Sequence, residues 1–172
     1  MNKLIILNGP SGVGKSTVAK MLWRKMKRTA YISLDEIKWL ISDYKFDVSD
    51  LAMVDKDLTL ARNIGLGMVE GFLVDGLNVI IEKPFCKKEY LEPYLDLAEK
   101  LGIPYSIFNI EASLQTLLTR AKERTLKEDR KFSEEKVKRI YSEYVTEKIE
   151  AKTFDADKNS SEEIADMIFD LV

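Results

Sequence analysis

The chain has 172 residues, 45% hydrophobic and 33% charged, with a formal net charge of -2, which excludes a disordered chain and leaves one domain over residues 1–172 as the expectation. Histidine is absent, so serine-histidine triads, histidine metal sites and imidazole bases are excluded, and any general base must be a carboxylate, a lysine or a tyrosine. Cys86 is the only cysteine, and no apolar run approaches the roughly 18 residues of a membrane span, so no internal disulfide forms and a soluble, cytoplasmic protein is expected.

Residues 4–7 read Leu-Ile-Ile-Leu, a short strand, and are too brief for a secretory leader. Directly after them stands Gly9-Pro10-Ser11-Gly12-Val13-Gly14-Lys15-Ser16-Thr17, a full match to the phosphate-binding pattern G-x-x-x-x-G-K-[ST]. Such a loop wraps a polyphosphate with backbone N–H groups, those of Ser11 and Val13 included, and Gly9, Gly12 and Gly14 let the main chain come close to oxygen atoms. Lys15 opens the next helix, where unpaired N–H groups already favour anions, and its ammonium reaches the β and γ phosphates. Ser16 supplies a hydroxyl for Mg²⁺, and Thr17 places a second near the α phosphate. Val18, Met21, Leu22, Lys25 and Met26 then recur near helical spacing.

A second strand covers residues 31–33, followed by Asp35, which either orients and deprotonates an acceptor hydroxyl or caps a helix over 36–42. Lys38 falls on the same side of that helix, facing the acceptor. Residues 50–75 form a long helix with Val54, Leu58, Ala61, Gly65, Met68 and Phe72 on one face, stopped by Gly76. Arg62 on this helix is a candidate for gripping an acceptor anion, or else a surface arginine. Residues 78–82 make a strand buried on both faces, ending at Glu82, which either holds Mg²⁺ through water and positions the acceptor or emerges into solvent.

A helix over 89–101 places Pro93 in its first turn or at a kink, and a strand follows over 105–110. Ser113 caps a helix carrying Leu114, Leu117, Leu118 and Ala121, whose Arg120, Arg124 and Lys127 share a stripe, with Arg130 and Lys131 beyond. These cations form either a lid over the phosphates, spanning about 120–135, or a solvated basic face. A helix begins near Ser133, a short strand lies at 153–154, and Ser160-Ser161-Glu162-Glu163 opens the last helix with a capping box. Cys86, Trp23, Trp39 and the tyrosines read as packing.

Strand and helix alternation predicts an α/β fold, a parallel five-stranded sheet flanked by helices. With residues 9–17, 31–35 and 76–82, the Arg120 and Arg124 pair and the helix start at 160–163, the chain resembles P-loop kinases of small acceptors. These include shikimate and gluconate kinases, chloramphenicol phosphotransferase, zeta-toxin-like kinases and the kinase domain of polynucleotide kinase. The resemblance implies the P-loop NTPase fold, ATP as donor, Mg²⁺, Asp35 as the base-like residue, and Arg120 with Arg124 in a short mobile lid. Catalytic roles fall to Lys15, Asp35, Arg120 and Arg124, metal contacts to Ser16, Asp35 and Glu82, and acceptor contacts to Asp35, Lys38, Arg62 and Glu82. Glu82-Lys83-Pro84-Phe85 departs from the pattern of nucleoside monophosphate kinases, and Lys38 stands where polynucleotide kinase has arginine. The leading expectation is transfer of the γ-phosphoryl group to a hydroxyl of a small molecule. A nucleic-acid 5′-hydroxyl acceptor and a nucleotide-dependent switch are the alternatives; the sequence leaves ATP against GTP and the oligomeric state open.

Overall fold

A computed structural model describes residues 1–41, 51–128 and 133–172. Ser42, Asp50, Arg130 and Lys131 fall outside the described residues, as do the side chains of Val54 and Lys127.

The strands are β1 (Leu4–Asn8), β2 (Thr29–Ser33), β3 (Asn78–Glu82), β4 (Tyr105–Glu111) and β5 (Lys152–Asp155), all parallel, in the order β2-β3-β1-β4-β5. The helices are α1 (Lys15–Lys25), α2 (Leu34–Ile41), α3 (Leu51–Val74), α4 (Lys88–Lys100), α5 (Leu114–Glu128), α6 (Glu134–Thr146) and α7 (Ser161–Phe169). Side chains alternate between the faces of a strand, so β1 feeds both layers at once. Leu4 and Ile6 pack with Ile32, Ile81, Val69, Leu73 and Leu91, whereas Ile5 and Leu7 pack with Val18, Leu22, Phe108, Ile164 and Ile168. Each such side chain taken fully from water is worth about 1.5–3 kcal/mol, which is what clamps the central strand and the loop that follows it.

Three sequence expectations need adjustment. The buried face of α3 runs through Ala61, Gly65, Val69 and Leu73, while Met68 is 39% exposed; beyond Gly65 the inward row keeps a four-residue step where the expected face steps by three, because the sheet selects the row. Pro93 lies inside α4, beyond its first turn. The second helix begins at Leu34, so Asp35 sits within its first turn instead of capping it, and the Glu36 amide approaches the Ser33 hydroxyl at 3.4 Å. The other starts and stops are where their residues place them. Gly76 N–H donates to Leu73 O and Leu77 N–H to Phe72 O, closing α3, and Ser160 with Glu163 forms the full capping box of α7.

Candidate active site

Open parallel sheets receive ligands beyond the carboxyl ends of their strands, and here the loop after β1 occupies that edge at its centre. Gly9 has φ of 148°, and a Cβ there would lie 2.1 Å from the Ile110 carbonyl oxygen, so no side chain fits between the loop and β4. Lys15 is 5% exposed and its ammonium donates to the Pro10 carbonyl at 2.9 Å, across the mouth of the loop. Burial pushes the Lys15 ammonium below the ordinary lysine value, with Glu82 and Asp35 pulling the other way. An anion bound in the loop would restore the charge that burial disfavours.

Glu82 is the hub of the site. Only 3% exposed at the end of β3, it does not emerge into solvent: its Oε1 accepts from Ser16 Oγ at 2.9 Å, Ser33 Oγ at 2.8 Å and the Tyr31 hydroxyl at 3.2 Å. Strand register explains this, because Ser33 pairs with Glu82 across the β2–β3 ladder and Tyr31 lies two residues back on the same face. Tyr31 is therefore more than packing. Its hydroxyl is raised above the usual tyrosine value first by burial and then by the Glu82 carboxylate, so it stays a donor. Because the Ser16 proton points to Glu82, the lone pairs of that hydroxyl stay available to a cation, and a buried carboxylate stands directly behind it. That donor set fits Mg²⁺, which takes one or two protein oxygens and completes its shell with phosphates and water.

Asp35 lies in the first turn of α2 with its side chain 52% exposed, and its Oδ1 accepts from Lys83 Nζ at 3.0 Å. Burial alone would raise its carboxyl, but Lys83, followed by Lys15 and Lys38, outweighs that and holds it below the usual aspartate range. Lys38 itself lies with its ammonium 5.4 Å from the centroid of the Trp39 ring. Arg62 on α3 has its guanidinium carbon 3.9 Å from the Tyr90 ring centroid and its NH2 donating to Thr59 Oγ1.

On the other side of the loop, Gly12, Gly14, Thr17, Arg120, Glu123, Arg124 and Ser161 line an open cavity of about 380 Å³. The cation stripe of α5 thus turns toward the loop instead of plain solvent, as far as Arg120 and Arg124 define it. Arg120 is tethered: NH1 donates to Val13 O and NH2 to Ala156 O, each at 3.0 Å, binding the phosphate loop to the turn after β5.

Five contributors escaped the sequence reading. Ser33, Tyr31 and Lys83 are brought in by register and by the bend after β3. Asn8, fully buried, accepts from the Phe85 amide at 2.9 Å and donates to Asn109 Oδ1 at 3.1 Å, while Asn109 donates to the Ile149 carbonyl at 2.7 Å. The signal available was an asparagine set among apolar residues in each of two strands, at the end of β1 and between Phe108 and Ile110 in β4, a costly choice unless each is bonded. Among the described residues, no cluster of three or more acidic or cysteine side chains forms a metal cage, and no helix is long and apolar enough to cross a membrane.

Comparison with known proteins agrees with this architecture. The AAA_33 family, described as AAA domain, matches residues 4–146. A putative kinase from Chloroflexus aurantiacus superposes with a TM-score of 0.74 at 20% identity, covering 99% of this chain and 95% of that one. A sugar kinase from Janibacter sp. gives 0.63 at 12% identity, covering 99% and 92%. A chain of the Pnkp1/Rnl/Hen1 RNA repair complex gives 0.71 at 19% identity, with 88% of this chain on 47% of that one. No curated protein matches the sequence. The five-stranded parallel sheet and its flanking helices are thus shared with kinase structures, and the chain belongs to the AAA domain family with a P-loop kinase fold.

Proposed function

We propose that this protein is an ATP-dependent phosphotransferase that moves the γ-phosphoryl group to a hydroxyl of a small molecule, acting over residues 1–172 in a reducing interior such as the cytoplasm. One observation carries the reading: the loop hydroxyl of Ser16 and the buried Glu82 carboxylate meet at 2.9 Å next to the phosphate-binding lysine. Gly9, Ser11, Gly12, Val13 and Gly14 present the loop backbone to the phosphates, and Lys15 neutralises their charge. Thr17 lies where the loop meets the cavity of Arg120 and Arg124, which takes the nucleotide.

Ser16, Glu82 and Asp35 would hold Mg²⁺, which when bound would offset the charge that develops on the phosphates. Asp35 orients the acceptor hydroxyl and receives its proton as the new O–P bond forms. The γ-phosphorus to bridging-oxygen bond breaks, and its electron pair leaves with ADP. Proton removal late in a loose transition state asks for little basicity, which suits a carboxyl held low by Lys83. Arg120 keeps the loop against Ala156, leaving Arg124 as the arginine of this cavity with charge to spend on the phosphates.

Purified protein with Mg-ATP labelled at the γ position, run against a panel of small alcohols, tests this: a labelled phosphoester is expected, lost in Lys15→Met. The likeness to an RNA repair chain favours a second reading, a 5′-hydroxyl RNA end as acceptor. Transfer to oligonucleotide ends, falling steeply with salt as phosphate contacts release counterions, would replace the first reading with the second. Slow hydrolysis with no phosphorylated product would leave a nucleotide-dependent switch.

A further inference from the structure

Near the carboxyl edge stands a cation, Arg62, that is held in place but has no carboxylate partner among the described residues. α3 leads into β3 at the amino edge of the sheet, so its earlier turns lie toward the carboxyl edge, where the phosphate loop is. Gly65 of α3 packs against Leu34, the neighbour of Asp35, and Arg62 lies almost one turn nearer that edge. α4 starts at the same edge, directly after the bend that carries Lys83, and puts Tyr90 in its first turn.

Tyr90 is half-buried and receives the guanidinium of Arg62 on its face at 3.9 Å, with the Lys87 ammonium 5.8 Å from the same ring centroid. Arg62 is itself half-buried, its backbone carbonyl accepts from the buried Tyr94 hydroxyl at 3.1 Å, and its side chain donates to Thr59 Oγ1 at 3.0 Å. Among the described residues no carboxylate lies within ion-pair distance of the guanidinium, although the other cations of this edge are engaged, Lys83 by Asp35 and Lys87 by Glu89 at 3.7 Å.

A long side chain stacked and bonded in this way has already lost its rotamer freedom, and its remaining N–H groups form the planar fork that matches a carboxylate or phosphate. A surface arginine kept for solubility needs neither the ring beneath it nor the bond to Thr59. Partial burial also makes its charge costly until an anion arrives.

Resting on the kinase reading above, we propose that the acceptor is an anionic alcohol, a small molecule that carries a carboxylate or phosphate group as well as the hydroxyl to be phosphorylated, and that Arg62 stacked on Tyr90 grips that group. Asp35 and Arg62 then read the two ends of one molecule: the hydroxyl at the phosphate loop, the anion at the α3–α4 seam.

The test uses the full chain saturated with a non-hydrolysable ATP analogue and Mg²⁺, so that the phosphate loop is filled, and titrates matched probes by calorimetry: gluconate against glucose, 3-phosphoglycerate against glycerol. The expected result is millimolar or tighter binding of at least one anionic probe, at least 10-fold over its neutral partner. It is weakened at least 10-fold in Arg62→Ala, partly restored in Arg62→Lys and reduced in Tyr90→Leu, while affinity for the analogue stays the same in every variant. Preference for gluconate assigns a carboxylate, and preference for 3-phosphoglycerate a phosphate.

Equal binding of neutral and anionic probes, binding of neither, or anion binding indifferent to Arg62 overturns the inference. So does an oligonucleotide end that binds through Arg62 where every small probe fails. Analogue binding is read separately: a protein that takes the analogue and refuses the anions refutes only this inference, whereas one that refuses both refutes the kinase reading as well.

Discussion

Replacing Glu82 by glutamine separates the structural duty of that side chain from its electrostatic one. The amide keeps an oxygen where Oε1 accepts from Ser16, Ser33 and Tyr31, so the three bonds persist in neutral form. Bonds to a charged acceptor are worth about 1.5–3 kcal/mol against about 0.5–1.5 for neutral ones, so the loss is roughly 1 kcal/mol per bond and about 3 kcal/mol in all. Against it stands the relief of a carboxylate that is 3% exposed, whose burial costs several kcal/mol. The two nearly cancel, and urea denaturation of Glu82→Gln is expected to fall within about 1–2 kcal/mol of the parent. Glu82→Leu also removes the charge but strands the buried Ser33 hydroxyl and half-strands Tyr31, a loss of about 2–4 kcal/mol at about 1–3 kcal/mol for each buried donor. Phosphoryl transfer is expected to drop about 10²-fold or more in both, since the neutral amide no longer answers a cation bound at Ser16. A glutamine variant as unstable as the leucine one, or one that keeps parental kcat in Mg-ATP, would refute the assignment of Glu82 as an electrostatic hub.

Lys15→Met is expected to abolish the thermal shift by which nucleotide stabilises the protein, about 2.7 kcal/mol at 100 times the dissociation constant. It should not lower, and is expected to raise, the melting temperature of the nucleotide-free form, because burial disfavours the Lys15 charge. The same depressed pKa means that the folded, nucleotide-free protein holds fewer protons than the unfolded chain between the folded value and 10.5, so its stability rises with pH across that window; pH-dependent melting should show the rise flattened in Lys15→Met. Asn109→Leu leaves the Asn8 amide and the Ile149 carbonyl without their partner, which at about 1–3 kcal/mol per buried group predicts a loss of about 2–6 kcal/mol, measured by urea denaturation. Ser160→Ala removes the acceptor for the Glu163 amide at the start of α7 and should cost about 0.5–2 kcal/mol, roughly 1–8 °C in melting temperature.

Local chemistry settled much of this protein. The G-x-x-x-x-G-K-[ST] string, the doubly apolar strand cores, Ser113 and Ser133 ahead of their helices, the Gly76 stop and the 160–163 capping box each act through backbone groups within a few residues, and so they are visible in a linear reading. What depended on tertiary structure was every relation between segments far apart in the chain. Nothing local to residues 31–33 says that Ser33 faces Glu82, 49 positions away; the β2–β3 register does, and a slip of one residue would turn Ser33 and Tyr31 to the other face. The row of α3 that packs inward, the Lys83–Asp35 pair, the tether of Arg120 to Val13 and Ala156, and the stacking of Arg62 on Tyr90 belong to the same class. Hydrophobic periodicity and turn chemistry specify elements because they act over a few bonds. The order of strands and the meeting of side chains at the carboxyl edge depend on how those elements share two buried layers, and that is a property of the packed whole.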